Sequence, residues 1–265
     1  VANNLLTPLG IIGGSMATSI YSTLPLLLGR EDKLREIVYK SVIYTSIIIV
    51  PLAIGLVVFS KPLVYLIYGD KYTLAPFYLS LSALTGLSAV LGSYVIGSYL
   101  KSIGETVKTM KISLVNYAIY VPLALLLIPI YRVVGLIIAS IVAGFSSTLY
   151  GLHIIRRDFR LEIVARRNVT VLGALSLPAV ATWLTSFLPH SSTVVEFLLG
   201  VMVYLASLTL VLPAVIRRSE VLELIEITKN VKLLSFIAPK ALSAILAISD
   251  LLNYARNRFS ANKYS

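Results

Sequence analysis

Few side chains in this 265-residue protein could do chemistry, and where they fall is more telling than how many there are. It has 12 acidic residues, two histidines and no cysteine. Thiol catalysis and thiolate metal sites are thereby excluded, and ligation by histidine with carboxylate has almost nothing to draw on. An enzyme needs ionisable groups gathered at one place. Here the acids that could serve, Asp158, Glu162 and Glu196, are scattered. No P-loop or dinucleotide-binding glycine spacing occurs, and no cofactor is expected. What remains is a set of neutral hydrogen-bonding residues in apolar surroundings: Asn3, Asn4 and Asn116, with Ser113 and Tyr117 beside the last. Facing hydrocarbon they would be costly, so they face either a neighbouring helix or a hydrated cavity. His153, one turn before Arg156 and Arg157, reads as interfacial rather than as a proton relay.

The elements that carry these residues are greasy. Hydrophobic residues make up 57% of the chain and charged ones 13%, against roughly 25% charged in a soluble domain. Mean hydropathy is +0.89. A chain so short of charge cannot cover a water-facing surface. Stretches free of acidic and basic side chains recur at 1–28, 41–60, 72–100, 112–131, 133–155, 169–188 and 197–216. Each is about the length a helix needs to cross a bilayer core. The expectation is an all-α, polytopic bundle of about seven spans at 1–218, followed by a cytoplasmic tail at 219–265.

The net charge of +11 could point to nucleic acid, but its distribution argues otherwise. With seven crossings, 20 of the 23 Lys and Arg residues fall on one side; Lys61, Lys71 and Arg132 fall on the other. The rich side is expected in the cytoplasm, C-terminus included, and the excess charge faces anionic lipid. No nucleic-acid role is supported. In the tail, Glu220, Glu223 and Glu226 alternate with apolar residues at helical period, and Leu242, Ile245, Ile248 and Leu252 repeat the pattern beyond Pro239. Two amphipathic helices on the inner leaflet are the expectation. An eighth crossing at 233–252 would bury Lys240 or Asp250.

Prolines fall inside several spans, at Pro8, Pro25, Pro51, Pro122, Pro178 and Pro213, where each removes a backbone hydrogen bond. They read either as hinges or as the ordinary proline content of membrane helices. Small residues four apart, Gly10/Gly14, Ser88/Gly92, Ser93/Gly97, Ala139/Ala143 and Ser140/Gly144, read as helix-packing faces. The segment 60–74, with Tyr65, Tyr68 and Tyr72, reads as a short interfacial helix ended by Gly69. The chain opens Val1-Ala2-Asn3-Asn4 with neither Met nor a basic leader, as expected of a fragment of a longer polytopic protein or of a truncated chain.

Four places, in order, resemble a known family. A span ending Leu24-Pro25-Leu26-Leu27-Leu28-Gly29 leads into Arg30-Glu31-Asp32-Lys33. The Pro51 span runs into Lys61-Pro62-Leu63 and Tyr68-Gly69-Asp70-Lys71-Tyr72. Next come Gly97-Ser98-Tyr99-Leu100-Lys101-Ser102-Ile103-Gly104-Glu105-Thr106, then Asn116 followed by Leu127-Ile128-Pro129-Ile130-Tyr131-Arg132 and Val133-Val134-Gly135. From Leu5 to about Arg157 this resembles the C-terminal half of the polysaccharide-biosynthesis membrane proteins. These are oligosaccharide-lipid flippases, of the superfamily that includes multidrug extruders and peptidoglycan-precursor flippases.

The resemblance implies a fold of two helix bundles around a central cavity open alternately to each side. This chain would supply the second bundle, and a missing N-terminal half of the same protein would be its partner, along with membrane lipids and the lipid-linked glycan. The implied function is translocation of a lipid-linked oligosaccharide across the cell membrane. Lys101, Lys108 and Lys111 would be the anion contacts at the inner mouth, although topology explains the same lysines. Asn3, Asn4 and Asn116 would be neutral donors and acceptors for sugar. Small-molecule drug efflux on the same fold, or a noncatalytic membrane scaffold, are the alternatives.

Overall fold

A computed structural model describes residues 2–27, 29, 31–161, 166–185 and 193–215. The amphipathic tail expected at 219–265 lies outside them. Every regular element among the described residues is helical. The α-helices are α1 (Ala2–Thr23), α2 (Glu31–Val58), α3 (Ser60–Tyr68), α4 (Ala75–Ala83), α5 (Ser93–Ser102), α6 (Thr106–Tyr131), α7 (Val133–Phe159), α8 (Arg166–Thr185) and α9 (Thr193–Val215). Short 3₁₀ segments follow α1, α3 and α4.

The described residues form two compact units: those within 2–173 with 193–197, and 174–185 with 198–215. In the first, α2 is the central post. Its middle carries Val42, Ile43, Ile49, Val50 and Ala53, all essentially fully buried, because α1, α4 and the 3₁₀ segment Leu84–Leu91 pack around it. The outermost helix is α6, which turns Leu114, Leu125, Leu126 and Ile130 outward and packs on α7 as an antiparallel hairpin. In the second unit, Leu175 and Tyr204 are buried, and Thr182 Oγ1 donates to the Pro178 carbonyl at 2.8 Å.

Among the described residues, four helices are long and apolar enough to cross a bilayer, at Asp32–Val58, Thr106–Tyr131, Val133–Phe159 and Val194–Pro213, and a bent pair makes a fifth if it is one span. Three expected spans depart from the seven-span reading: the sixth is an apolar helix of only Thr170–Leu184 among the described residues, and the other two departures have physical causes. The first expected span is helical but carries two asparagines and a run of hydroxyls, which hold α1 below that apolarity. The third expected span is not one rod. Ala75–Leu91 and Ser93–Ser102 meet at a 51° bend, where Gly92 takes φ +79°, a left-handed conformation open chiefly to glycine. Ser88/Gly92, read as a packing pair, is the bend itself.

Irregular backbone at membrane depth is tolerated only when protein satisfies its polar groups. Here Gly92 N–H donates to the Ala89 carbonyl at 2.8 Å, and the buried Ser46 hydroxyl on α2 lies 3.1 Å from the same oxygen. The 3₁₀ turn sits close against α2 because Gly86 has no side chain; a Cβ there would come within 2.7 Å of the Ala53 Cβ.

Two buried clusters mark the ends of the first unit. One joins Leu24, Val38, Leu100, Ile155 and Leu161, from the α1–α2 connection, the end of α5 and the end of α7. The other joins Val64, Ala75 and Leu79, with Ala2, Leu5 and Leu6 against them. The basic runs 33–40, 101–111 and 156–160 belong to the first end; Lys61, Lys71 and Arg132 belong to the second.

Candidate functional site

The six residues singled out from sequence do not converge. Asn3 and Asn4 sit exposed in the first turn of α1, at the second end. Lys101 closes α5, and Lys108 and Lys111 open α6, at the basic end. Asn116 lies further along α6 and turns toward α7, where its Nδ2 donates to Ser147 Oγ at 3.2 Å. Ser147 in turn donates to the Gly144 carbonyl at 3.0 Å. Of the two readings open for Asn116, the interhelical hydrogen bond is the one observed. Such bonds in membrane bundles contribute about 0.6 kcal/mol on average. Asn116→Leu is therefore expected to lower stability by less than about 1 kcal/mol, measured by denaturant unfolding of the purified chain. A larger loss would mean the amide has a second role.

Lys101 and Lys111 are exposed, whereas Lys108 is held. Its Nζ lies 3.0 Å from Asp158 Oδ2 and 3.3 Å from Glu105 Oε1. It also sits 4.4 Å from the centre of the Phe159 ring, which meets Tyr99 edge-on at 5.5 Å. One lysine thus ties the α5–α6 turn to the end of α7. Glu105, three residues before Lys108, is a partner visible in the sequence; Asp158, fifty positions away, is not. Beside this tie lies a cavity of about 560 Å³ lined by Arg35, Tyr99, Glu105, Asp158, Phe159 and Arg160 among others. Because the ammonium is matched by two carboxylates, it is a poor reader of a passing anion. Lys108→Gln is expected to lower the melting temperature, whereas Lys108→Glu, which brings three carboxylates together, is expected to be the less stable of the two. Thermal unfolding of both variants checks this.

A feature the sequence reading missed is a largely polar stripe on α1. Asn4, Thr7, Ser15, Thr18 and Ser22 are all exposed and share one face, interrupted by the exposed Ile11. The opposite face buries Leu9, Gly13 and Ile20 against the bundle. At Gly13 an added Cβ would overlap the Tyr94 ring of α5, so α1 and α5 are in close contact there. Gly10 and Gly14, expected as the packing pair, have open space instead. The hydroxyls donate back to their own helix: Thr7 to Asn3, Ser15 to Ile11, Thr18 to Gly14 and Ser22 to Ser19, at 2.8–3.2 Å. That leaves their oxygens free to accept. The periodicity of Asn, Thr and Ser was the available signal, and it was masked by the apolar residues alternating with it.

Among the described residues no three His, Asp or Glu side chains stand close enough to hold a metal ion. Among the described residues, apolar helices of membrane length with charge gathered at their ends define a polytopic helical membrane protein. More narrowly, the chain belongs to the MurJ lipid II flippase family, whose model matches residues 3–216. Members of that family move a lipid and are not catalysts. Among solved structures, the fold is similar to that of "Lipid II flippase MurJ, inward closed conformation", with a TM-score of 0.61 and 18% identity over 80% of this chain. The match spans 46% of that flippase's length. No curated protein sequence matches.

Proposed function

We propose that this chain is one lobe of a flippase that carries a lipid-linked glycan precursor, of the lipid II type, across the cytoplasmic membrane by alternating access. The observation that carries the reading is the family match over residues 3–216, together with the exposed polar face of α1. A headgroup of sugars and pyrophosphate cannot cross hydrocarbon unsolvated, so the path needs a wall of hydrogen-bonding groups, and α1 supplies one. Asn3 and Asn4 begin that wall at one end. At the other, Lys101 and Lys111 are available to attract the pyrophosphate, with Lys108 held between its carboxylates. The second wall comes from an N-terminal lobe of the same protein, a reading supported by the 46% coverage of the flippase chain. The basic end and the C-terminus lie in the cytoplasm, a reading supported by the arginine and lysine distribution.

Depleting the full protein should cause lipid-linked precursor to accumulate in the inner leaflet; an unchanged leaflet distribution rejects the assignment. Cysteine labels at Arg160 and Arg132 should report opposite compartments, and labelling from the same side would overturn the topology.

A further inference from the structure

At the end of the bundle opposite the basic cluster, α1, α4 and α7 leave a groove of about 620 Å³. We propose that it is a binding site for one anionic phospholipid of the surrounding bilayer, with the phosphate at Lys71 and an acyl chain along α7. The lining divides by chemistry. Lys71, Asn3, Thr73 and Ser82 bring polar groups, whereas Leu136 and Ile137 of α7 form an apolar strip. Among the described residues no carboxylate lines the groove; the neighbouring Asp70 is exposed and outside it. A single cation beside an apolar strip is complementary to an amphiphile that joins one negative charge to hydrocarbon. A water-soluble anion would leave the apolar strip wet.

Position selects the bilayer as the source. Leu74, Phe77, Val133 and Leu136, which line or flank the groove, are 39–61% exposed, so it opens onto the apolar outer surface of the bundle. Tyr65 and Tyr72, both exposed nearby, are residues typical of the depth where headgroups lie. The volume falls within the range of small-molecule sites, enough for a headgroup with the start of one chain. The sign of the local field agrees: the first amides of α4 and α7, which face no side-chain cap, carry the positive ends of two helices, although helix ends alone would not define a site. The groove shares Asn3 with the wall proposed on α1, and its lipid is read from Lys71 and the apolar strip of α7 rather than from that residue.

The test uses the full chain in bilayer nanodiscs. Trp183, the one tryptophan in the sequence, is replaced by Phe, and Phe77→Trp supplies a reporter at the groove's edge. Quenching by brominated phosphatidylglycerol is compared with quenching by brominated phosphatidylcholine. A single lysine near an anionic surface corresponds to about a fivefold preference for the anionic lipid. That preference should vanish in Lys71→Gln and invert in Lys71→Glu, and persist in Lys61→Gln. Lys71 is exposed, so these variants are expected to fold, and an unchanged melting temperature verifies it. Equal quenching by the two lipids in the parent, or a preference that survives Lys71→Glu, overturns the proposal. Quenching relieved only by a lipid-linked pyrophosphate, and not by unbrominated phosphatidylglycerol, overturns it as well, because the groove would then belong to the transported substrate.

Discussion

Gly135→Ala is expected to be the most damaging of the glycine-to-alanine changes among the described helices, because the methyl meets backbone. A Cβ at Gly135 would overlap the Leu127 carbonyl and come within 2.9 Å of the Leu127 Cβ. The obstacle is backbone, so no rotamer change relieves it. To accept the methyl, α6 and α7 must separate at the turn where their hairpin is tightest. Overpacking of this kind costs typically about 1–3 kcal/mol, and the upper end applies when backbone must move. A loss of about 3 kcal/mol is therefore expected in denaturant unfolding of the purified chain. A loss below about 1 kcal/mol would show that the hairpin has slack the structure does not display. The companion variant is Arg132→Gly. Arg132 alone connects the two helices, at φ +52° and ψ −125°, a conformation that costs a residue with a Cβ about 1–3 kcal/mol. Glycine adopts it freely and should raise stability by about 1 kcal/mol. Opposite signs for two substitutions three residues apart would localise the effect to this turn.

How much of this was legible beforehand depends on whether the signal was local. The hydrophobic runs announced the helices because a charge-free stretch of twenty residues has few other uses. Gly69 was read as a helix end, and α3 does end there with Gly69 at φ +67°. Gly135 appeared in the family resemblance as turn grammar, yet its cause, contact with Leu127 backbone, is tertiary. The same limit explains the misread small residues. Spacing of four nominated Gly10 and Gly14, which meet nothing, and passed over Gly13 and Gly86, which meet Tyr94 and Ala53. Spacing can place residues on one face of a helix, but it cannot say which face the bundle covers. Ala139 and Ala143 were read correctly and are fully buried. Pro25 was placed inside a span but falls in the 3₁₀ turn that ends α1, where a missing N–H matters less. The polar stripe of α1 was readable in principle, since it is a 3.6-residue period of hydroxyls; a reading centred on ionisable groups overlooked it.

That stripe sets the second large expectation. Thr7→Val, Ser15→Ala and Thr18→Val together should reduce transport more than tenfold while leaving the fold nearly intact. The stability half follows from geometry. All three side chains are exposed and donate only to carbonyls of their own helix, which remain bonded in the helix ladder without them. Exposed substitutions of this size usually change stability by less than about 0.5 kcal/mol. The transport half follows from what is removed. Three oxygens that accept hydrogen bonds give way to methyl surface along one wall, and a solvated headgroup passing it must leave donors unpaired. Tenfold in rate corresponds to about 1.4 kcal/mol at the barrier, roughly one or two unmade hydrogen bonds. The control is Ser80→Ala with Ser140→Ala, which removes two other exposed hydroxyls, each bonded to its own helix, on α4 and α7. Flipping measured in vesicles should fall for the α1 set and hold for the control set. If both sets lose transport equally, the loss follows from removing hydroxyls anywhere, and α1 has no claim to be the wall; if neither does, the headgroup travels elsewhere.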